Sequence, residues 1–171
     1  MGTNNLPLVV RPARLDDAKL LWDWSNDPQV RAMAFDAGRV PWEQHETWLR
    51  DRLADDRSLL MILETAEGAP VGQCRFDVVP EGREMDFSIA ADCRGRGWGV
   101  RLLQEAMRLA RRRLPPETRL IARVLALNER SLAVCRRAGF APVEIGVDSG
   151  RRYIRMERRL GAEKVSDTKG V

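Results

Sequence analysis

Apolar residues recur along this chain in two rhythms, and the points where one gives way to the other divide it into elements. LPLVVRPA (residues 6–13) is a short β-rich run closed by Pro12, and RLDDAKLLWDWS then leads from acidic residues into apolar positions at helical spacing. NDPQVRAMAFDAGRVP carries Pro28, Gly38 and Pro41 and reads as an irregular connection, after which WEQHETWLRDRLAD sets Trp48, Leu49 and Leu53 at helical intervals. Two apolar runs in SLLMILETAEGAPVGQCRFDVV, split at Glu67-Gly68-Ala69-Pro70, predict a hairpin. REMDFSIA follows with Met85, Phe87 and Ile89 alternating against Glu84, Asp86 and Ser88, so this strand has one apolar and one polar face.

Further on, Val100, Leu103, Met107 and Ala110 mark one stripe of a helix that ends before Pro115-Pro116. TRLIARVLA predicts a strand, and NERSLAVCRRAGF a helix with Asn128 as N-cap and Gly139 as its stop. APVEIGV and RRYIRMERR flank Asp148-Ser149-Gly150 as a hairpin. The order is β-α-α-β-β-β-α-β-α-β-β, without internal repeats. It predicts an α/β (α+β) fold, a mixed and mostly antiparallel central sheet flanked by helices, in a single domain over residues 1–160. From Gly161 to the end, GAEKVSDTKGV lacks an apolar pattern and reads as a flexible tail over residues 161–171.

Composition narrows the chemistry. The formal charge is +4, but 25 acidic residues are mixed through 29 basic ones, which fits a salt-bridged surface with a basic pocket for a small anion rather than a nucleic-acid footprint. Cys74, Cys93 and Cys135 stand far apart and offer neither a disulfide framework nor a zinc site, as expected of reduced thiols in a cytoplasm. The N-terminus MGTNNLPLVV has no secretory pattern, and no apolar run approaches the ~20 residues of a membrane span. A soluble, cytoplasmic protein without metal, membrane or nucleic-acid partner is expected.

The candidate chemistry lies in ADCRGRGWGVRLL, residues 91–103, where Gly95, Gly97 and Gly99 alternate immediately before a helix. A helix N-terminus leaves unpaired N–H groups and roughly half a positive charge, and glycines let a phosphate come close. Arg94 and Arg96 add donors suited to a diphosphate. The Walker pattern is absent because no Gly-Lys-Ser/Thr closes the loop, and the dinucleotide fingerprint fails on glycine spacing.

With these residues the sequence resembles the GCN5-related N-acetyltransferase (GNAT) superfamily. That family's coenzyme A motif is Arg or Gln, two residues, Gly, one residue, Gly or Ala, and Arg94-Gly95-Arg96-Gly97-Trp98-Gly99 fits it in full. A second landmark, an Asn opening the next helix and Gly-Phe at its end, is matched by Asn128, Gly139 and Phe140. The resemblance runs from about Leu8 to Arg159 in element order. It implies an acetyl-CoA-dependent N-acetyltransferase in which a primary amine attacks the thioester directly, with no metal. The pantetheine arm is then expected along the backbone of Phe87, Ser88 and Ile89. The pyrophosphate is expected on the N–H groups of Gly95, Arg96, Gly97, Trp98, Gly99 and Val100, and Asn128 at the pantetheine channel.

An alkylamine has a pKa near ~10.4, so a base must take its proton. The resemblance points to Glu84 for that role, and Asp86 shares its face. Where the family often carries a tyrosine that protonates the departing thiolate, this chain has Cys135, with Ser131 or water as replacements. The acceptor is expected against the region holding Trp22, Trp24, Asn26, Asp27, Arg31, His45 and Trp48, whose aromatic faces, amides and arginine suit a sugar, a nucleotide or a peptide terminus. Among these Trp24, Asn26, Arg31 and His45 are the candidate substrate contacts. The arrangement is similar to the branch acting on nucleotide-linked amino sugars. Ribosomal-protein or peptide N-terminal and aminoglycoside acetyltransferases are related alternatives. A coenzyme A-binding sensor and a nucleic-acid module built on RLARRRLPPETR are the non-enzymatic ones. Either a monomer or a homodimer is compatible with the chain.

Overall fold

Every predicted element forms, and one more appears. A computed structural model of the protein describes residues 7–161; the predicted tail, Gly161 apart, lies outside them. The strands are β1 (Leu8–Pro12), β2 (Leu59–Thr65), β3 (Pro70–Val79), β4 (Gly82–Ile89), β5 (Arg119–Leu125), β6 (Ala141–Asp148) and β7 (Arg151–Arg159). The helices are α1 (Ala18–Ser25), α2 (Pro28–Ala32), α3 (Trp42–Ala54), α4 (Trp98–Ala110) and α5 (Glu129–Arg137), with single 3₁₀ turns at Leu15–Asp17 and Ala91–Cys93. The addition is α2. Its Pro28, expected to punctuate a loop, occupies the first helical position, where its missing N–H costs nothing, and Asp27 caps the helix by accepting from the Gln29 and Val30 N–H groups.

The strands join in the order β1-β2-β3-β4-β5-β7-β6. All neighbours are antiparallel except β4 and β5, so the sheet is mixed and mostly antiparallel, as the pattern predicts. One face carries α4 and α5 over the main core, which includes Met61, Phe76, Met85, Leu102, Leu103, Leu120 and Met156. On α4 the apolar stripe is wider than expected: Leu102 and Ala106 join Leu103, Met107 and Ala110 in the core, whereas Val100 is half-buried. Truncating a side chain such as Leu102, which is 0% exposed, removes about 2–5 kcal/mol. The opposite face packs Leu60 and Ile62 against Leu21 of α1 and Leu49 of α3 in a smaller cluster.

Arg11 ties β1 to both its neighbours. It donates Nε to Glu64 of β2 at 2.7 Å, and Nη1 and Nη2 to Asp17, just before α1, at 2.7 and 2.8 Å. Asp17 also accepts from the Arg14 N–H at 2.7 Å. Among the described residues no helix is long and apolar enough to cross a membrane.

Candidate active site

β4 and β5 are paired only at Arg83–Leu120 and Glu84–Ile121, after which the two parallel strands part. From Met85 to Ile89, β4 keeps its β3 partner but among the described residues has no strand on its other side, so the backbone of Phe87, Ser88 and Ile89 borders an open gap. At the far end of that gap the chain turns through the glycine loop into α4. Gly97 caps this helix in the left-handed region, φ 73°, and among the described residues no side-chain cap bonds its first amides. α2 and α5, by contrast, are capped by side chains, α2 by Asp27 and α5 by Asn128, whose Oδ1 accepts from the Ser131 N–H at 3.1 Å; α1 and α3 share the lack of a side-chain cap but have no glycine at the cap position. A 13-residue helix with an uncapped, glycine-lined start presents concentrated partial positive charge.

The loop side chains divide the work. Arg96 is exposed, donating to the Asp92 carbonyl at 3.1 Å, with its guanidinium 5.2 Å from the centre of the Trp98 ring. Trp98 is 3% exposed and belongs to the core, so it offers the site its backbone alone. These residues fit an extended, amide-bearing arm ending in a diphosphate: free strand edge for the arm, uncapped amides and Arg96 for the phosphates.

Arg94 departs from expectation. Its Nε donates to the Ile89 carbonyl at 3.0 Å, Nη1 to Gln29 Oε1 at 2.9 Å and Nη2 to Asp27 Oδ1 at 2.7 Å. The guanidinium therefore points to the start of α2 rather than back over the glycine loop. Burial would raise the Asp27 carboxyl, but the Arg94 hydrogen bond and the Val30 and Gln29 amides outweigh it and hold the group below its ordinary value.

At the vertex of the gap, Glu84 accepts from Arg123 Nε at 2.8 Å. Arg123 also donates to Asp148 at 3.0 Å and lies against a pair of touching rings, 4.9 Å from the Phe35 centroid and 5.6 Å from that of Tyr153. Tyr153 in turn lies flat on Gly146, where an added Cβ would stand 2.4 Å from the phenol carbon Cζ. Asp86, two residues along the same face and more open to solvent, accepts from Gln73 Nε2 at 3.0 Å and lies 3.3 Å from Arg75. Arg123, Phe35, Tyr153 and Asp148 were not singled out from sequence. Arg123 meets Glu84 because β4 and β5 pair here, and β6, β7 and the connection after α2 bring Asp148, Tyr153 and Phe35 around its guanidinium.

Cys135 and His45 take other places, and Asn26 has a structural part to play as well. Cys135 is 0% exposed within the main core, and burial pushes its thiol up to about 12, so it is withdrawn as the acid for a departing thiolate near neutral pH. His45 is 3% exposed, and its Nε2 lies 3.0 Å from the Ala18 carbonyl, which requires the proton on that nitrogen. Burial pushes its pKa below the ordinary value. It packs α3 against α1 and does not reach the cavity described next. Asn26 pins the connection after α2, accepting from the Val40 N–H at 2.8 Å and donating to the Trp22 and Val40 carbonyls. Trp24, Asn26 and Arg31 do share the wall of one cavity of about 690 Å³, with Trp22, Arg39 and residues 90–92. Arg31 donates to the Asp36 and Gly38 carbonyls there, and Arg151 of β7 to those of Ala32 and Ala34, so the connection after α2 is held from both sides. Among the described residues no group of His, Cys, Asp and Glu could hold a metal.

A sheet that parts after its fourth strand, with a glycine-led helix at the mouth of the gap, defines an acyl-CoA-dependent acyltransferase. The family profile described as Acetyltransferase (GNAT) domain matches residues 7–141, and the chain belongs to that family. Comparison with curated proteins gives no match. Among solved structures, the ribosomal-protein-alanine N-acetyltransferase from Brucella melitensis is 25% identical, with a TM-score of 0.74 over 88% of this chain and 99% of that one. The spermidine N-acetyltransferase from Vibrio cholerae in complex with CoA and spermine is 14% identical, with a TM-score of 0.73 over 90% and 95%. AAC(6')-Ib in complex with ribostamycin and coenzyme A is 18% identical, with a TM-score of 0.75 over 94% and 98%. The last two are similar in fold.

Proposed function

We propose that the chain transfers the acetyl group of acetyl-CoA to the primary amine of a small molecule, with a nucleotide-linked amino sugar as the acceptor class. The observation that carries this reading is the parting of β4 from β5 directly beyond Glu84, with the uncapped start of α4 at the other end of the same gap. The free edge of Phe87, Ser88 and Ile89 binds the pantetheine arm, and the amides of Gly95 to Val100 with Arg96 bind the diphosphate. That orientation brings the thioester toward Glu84. Glu84 takes the proton of the bound ammonium, directly or through water, and the freed amine lone pair attacks the thioester carbonyl. Asp86 holds the ammonium before it is deprotonated. Ser131, half-buried in the first turn of α5, or water returns a proton to the departing thiolate.

The aromatic and arginine-bearing cavity of Trp22, Trp24, Arg31 and Arg39 supports an acceptor with a planar, anionic portion, as a nucleotide sugar has. A peptide N-terminus is the second reading, supported by the 25% identity to the ribosomal-protein-alanine enzyme. Calorimetric titration with acetyl-CoA and with desulfo-CoA tests the cofactor site, and thiol release in the presence of amino-sugar nucleotides, alanine-led peptides and aminoglycosides tests the acceptor. Failure of both coenzymes to bind refutes the reading.

A further inference from the structure

We infer that Arg94 is a positioning residue that fastens α2 to the cofactor loop, so that a ligand on residues 95–99 tightens the wall of the acceptor cavity. The inference rests on the proposed coenzyme A site. Helix α2 has five residues and buries none of their side chains, so packing does little to hold it. Its start is fixed by a single carboxylate oxygen. Asp27 Oδ1 accepts from the Gln29 and Val30 N–H groups, both at 3.1 Å, and from Arg94 Nη2 at 2.7 Å. Arg94 Nη1 adds a bond to Gln29 at 2.9 Å. The Arg94 and Asp27 side chains are 22% and 20% exposed, sheltered enough for a charged, forked contact to outweigh its ordering cost.

The arginine itself is anchored at both ends. Its Nε holds the last carbonyl of β4, at Ile89, and its backbone leads straight into Gly95, which has φ 76° and open space where a side chain would stand. No side chain at Gly95 packs the loop in place, so the direction in which the chain leaves Arg94 is held only weakly by the loop itself. An anion drawn onto the amides of residues 95–99 fixes the loop's dihedrals and with them the direction of the guanidinium. Asp27, Pro28 and Arg31 line the same cavity as Ala91 and Asp92, so the fixed element is part of the wall of the proposed acceptor space. Coupling then runs both ways: an acceptor that orders α2 also favours the loop conformation that binds the diphosphate.

Amide exchange read by mass spectrometry, on the full chain with and without saturating desulfo-CoA, tests this without knowing the acceptor. In the wild type, exchange of the Gln29 and Val30 amides should slow at least about fivefold on adding the ligand, the low end of coupling between sites. In Arg94→Gln and Asp27→Asn that slowing should vanish, while the desulfo-CoA dissociation constant stays within about threefold of wild type. Arg94→Lys, which keeps the charge but loses the fork, should restore part of it. A direct phosphate role for Arg94 gives the opposite result: Arg94→Gln weakens desulfo-CoA about tenfold or more and Asp27→Asn leaves it untouched. Binding of desulfo-CoA with no change at residues 29 and 30 overturns the coupling alone. No binding at all overturns the cofactor site and the coupling with it. Once an acceptor is in hand, both variants should raise its KM while kcat and the KM for acetyl-CoA hold.

Discussion

Substituting Asp17 by Asn tests the physical account of how α1 is held to the sheet. Asp17 is 8% exposed and takes both Arg11 N–H groups and the Arg14 amide. An amide oxygen can keep the two bonds made to Oδ2, but its NH₂ then meets the Arg11 Nη2 donor, and the negative charge opposite Arg11 is gone. Removing one partner of a buried pair costs about 3–5 kcal/mol, which is reduced here because Arg11 is partly exposed and keeps Glu64. We expect a loss of about 2–3 kcal/mol at pH 7, which for a domain of this size lowers the Tm by about 5–10 °C.

Its pH dependence is the sharper part. Burial would raise the Asp17 carboxyl, but the Arg11 hydrogen bonds, the Arg14 amide and both positive charges outweigh that and hold it below its ordinary value. A group depressed in the folded state stabilises fully above its unfolded pKa, near ~3.9, and loses that contribution as pH falls through the folded value. Urea unfolding of wild type and Asp17→Asn should therefore show a constant gap from pH 5 to 8 that closes below about pH 4. A gap under about 0.5 kcal/mol at neutral pH, or one that persists at the acid end, refutes the account.

The remaining expectations concern the site. Glu84→Gln should lower kcat by about 10²–10⁴ while calorimetry finds desulfo-CoA affinity unchanged; turnover close to wild type would remove Glu84 as the base and favour a sensor. Cys135→Ala should cost about 1 kcal/mol in thermal melting yet leave turnover per folded molecule intact, and a folded but inactive variant would return the thiol to the mechanism. Gly97→Val forces a β-branched residue into the left-handed region at φ 73°, and should weaken desulfo-CoA about tenfold in the same titration.

What was legible in the sequence is what repeats over short distances. Alternation in REMDFSIA set Glu84 and Asp86 on one face of a strand, and the glycines before α4 marked a left-handed turn opening a helix, because both signals are local. The same locality misread Pro28, whose meaning depends on Asp27 turning back to cap the helix it opens. Beyond that range the sequence was silent. Arg94 Nη2 meets a carboxylate 67 positions away, and Glu84 an arginine 39 positions on, and no periodicity encodes either distance. Arginine is also the side chain for which locality misleads most. Its charge is visible in any motif, but its long stem lets the fork bond a different loop from the one that carries it. In this chain the motif arginine of the glycine loop bonds Asp27 and Gln29 at the start of α2, while Arg96, two residues on, stays exposed on the loop itself.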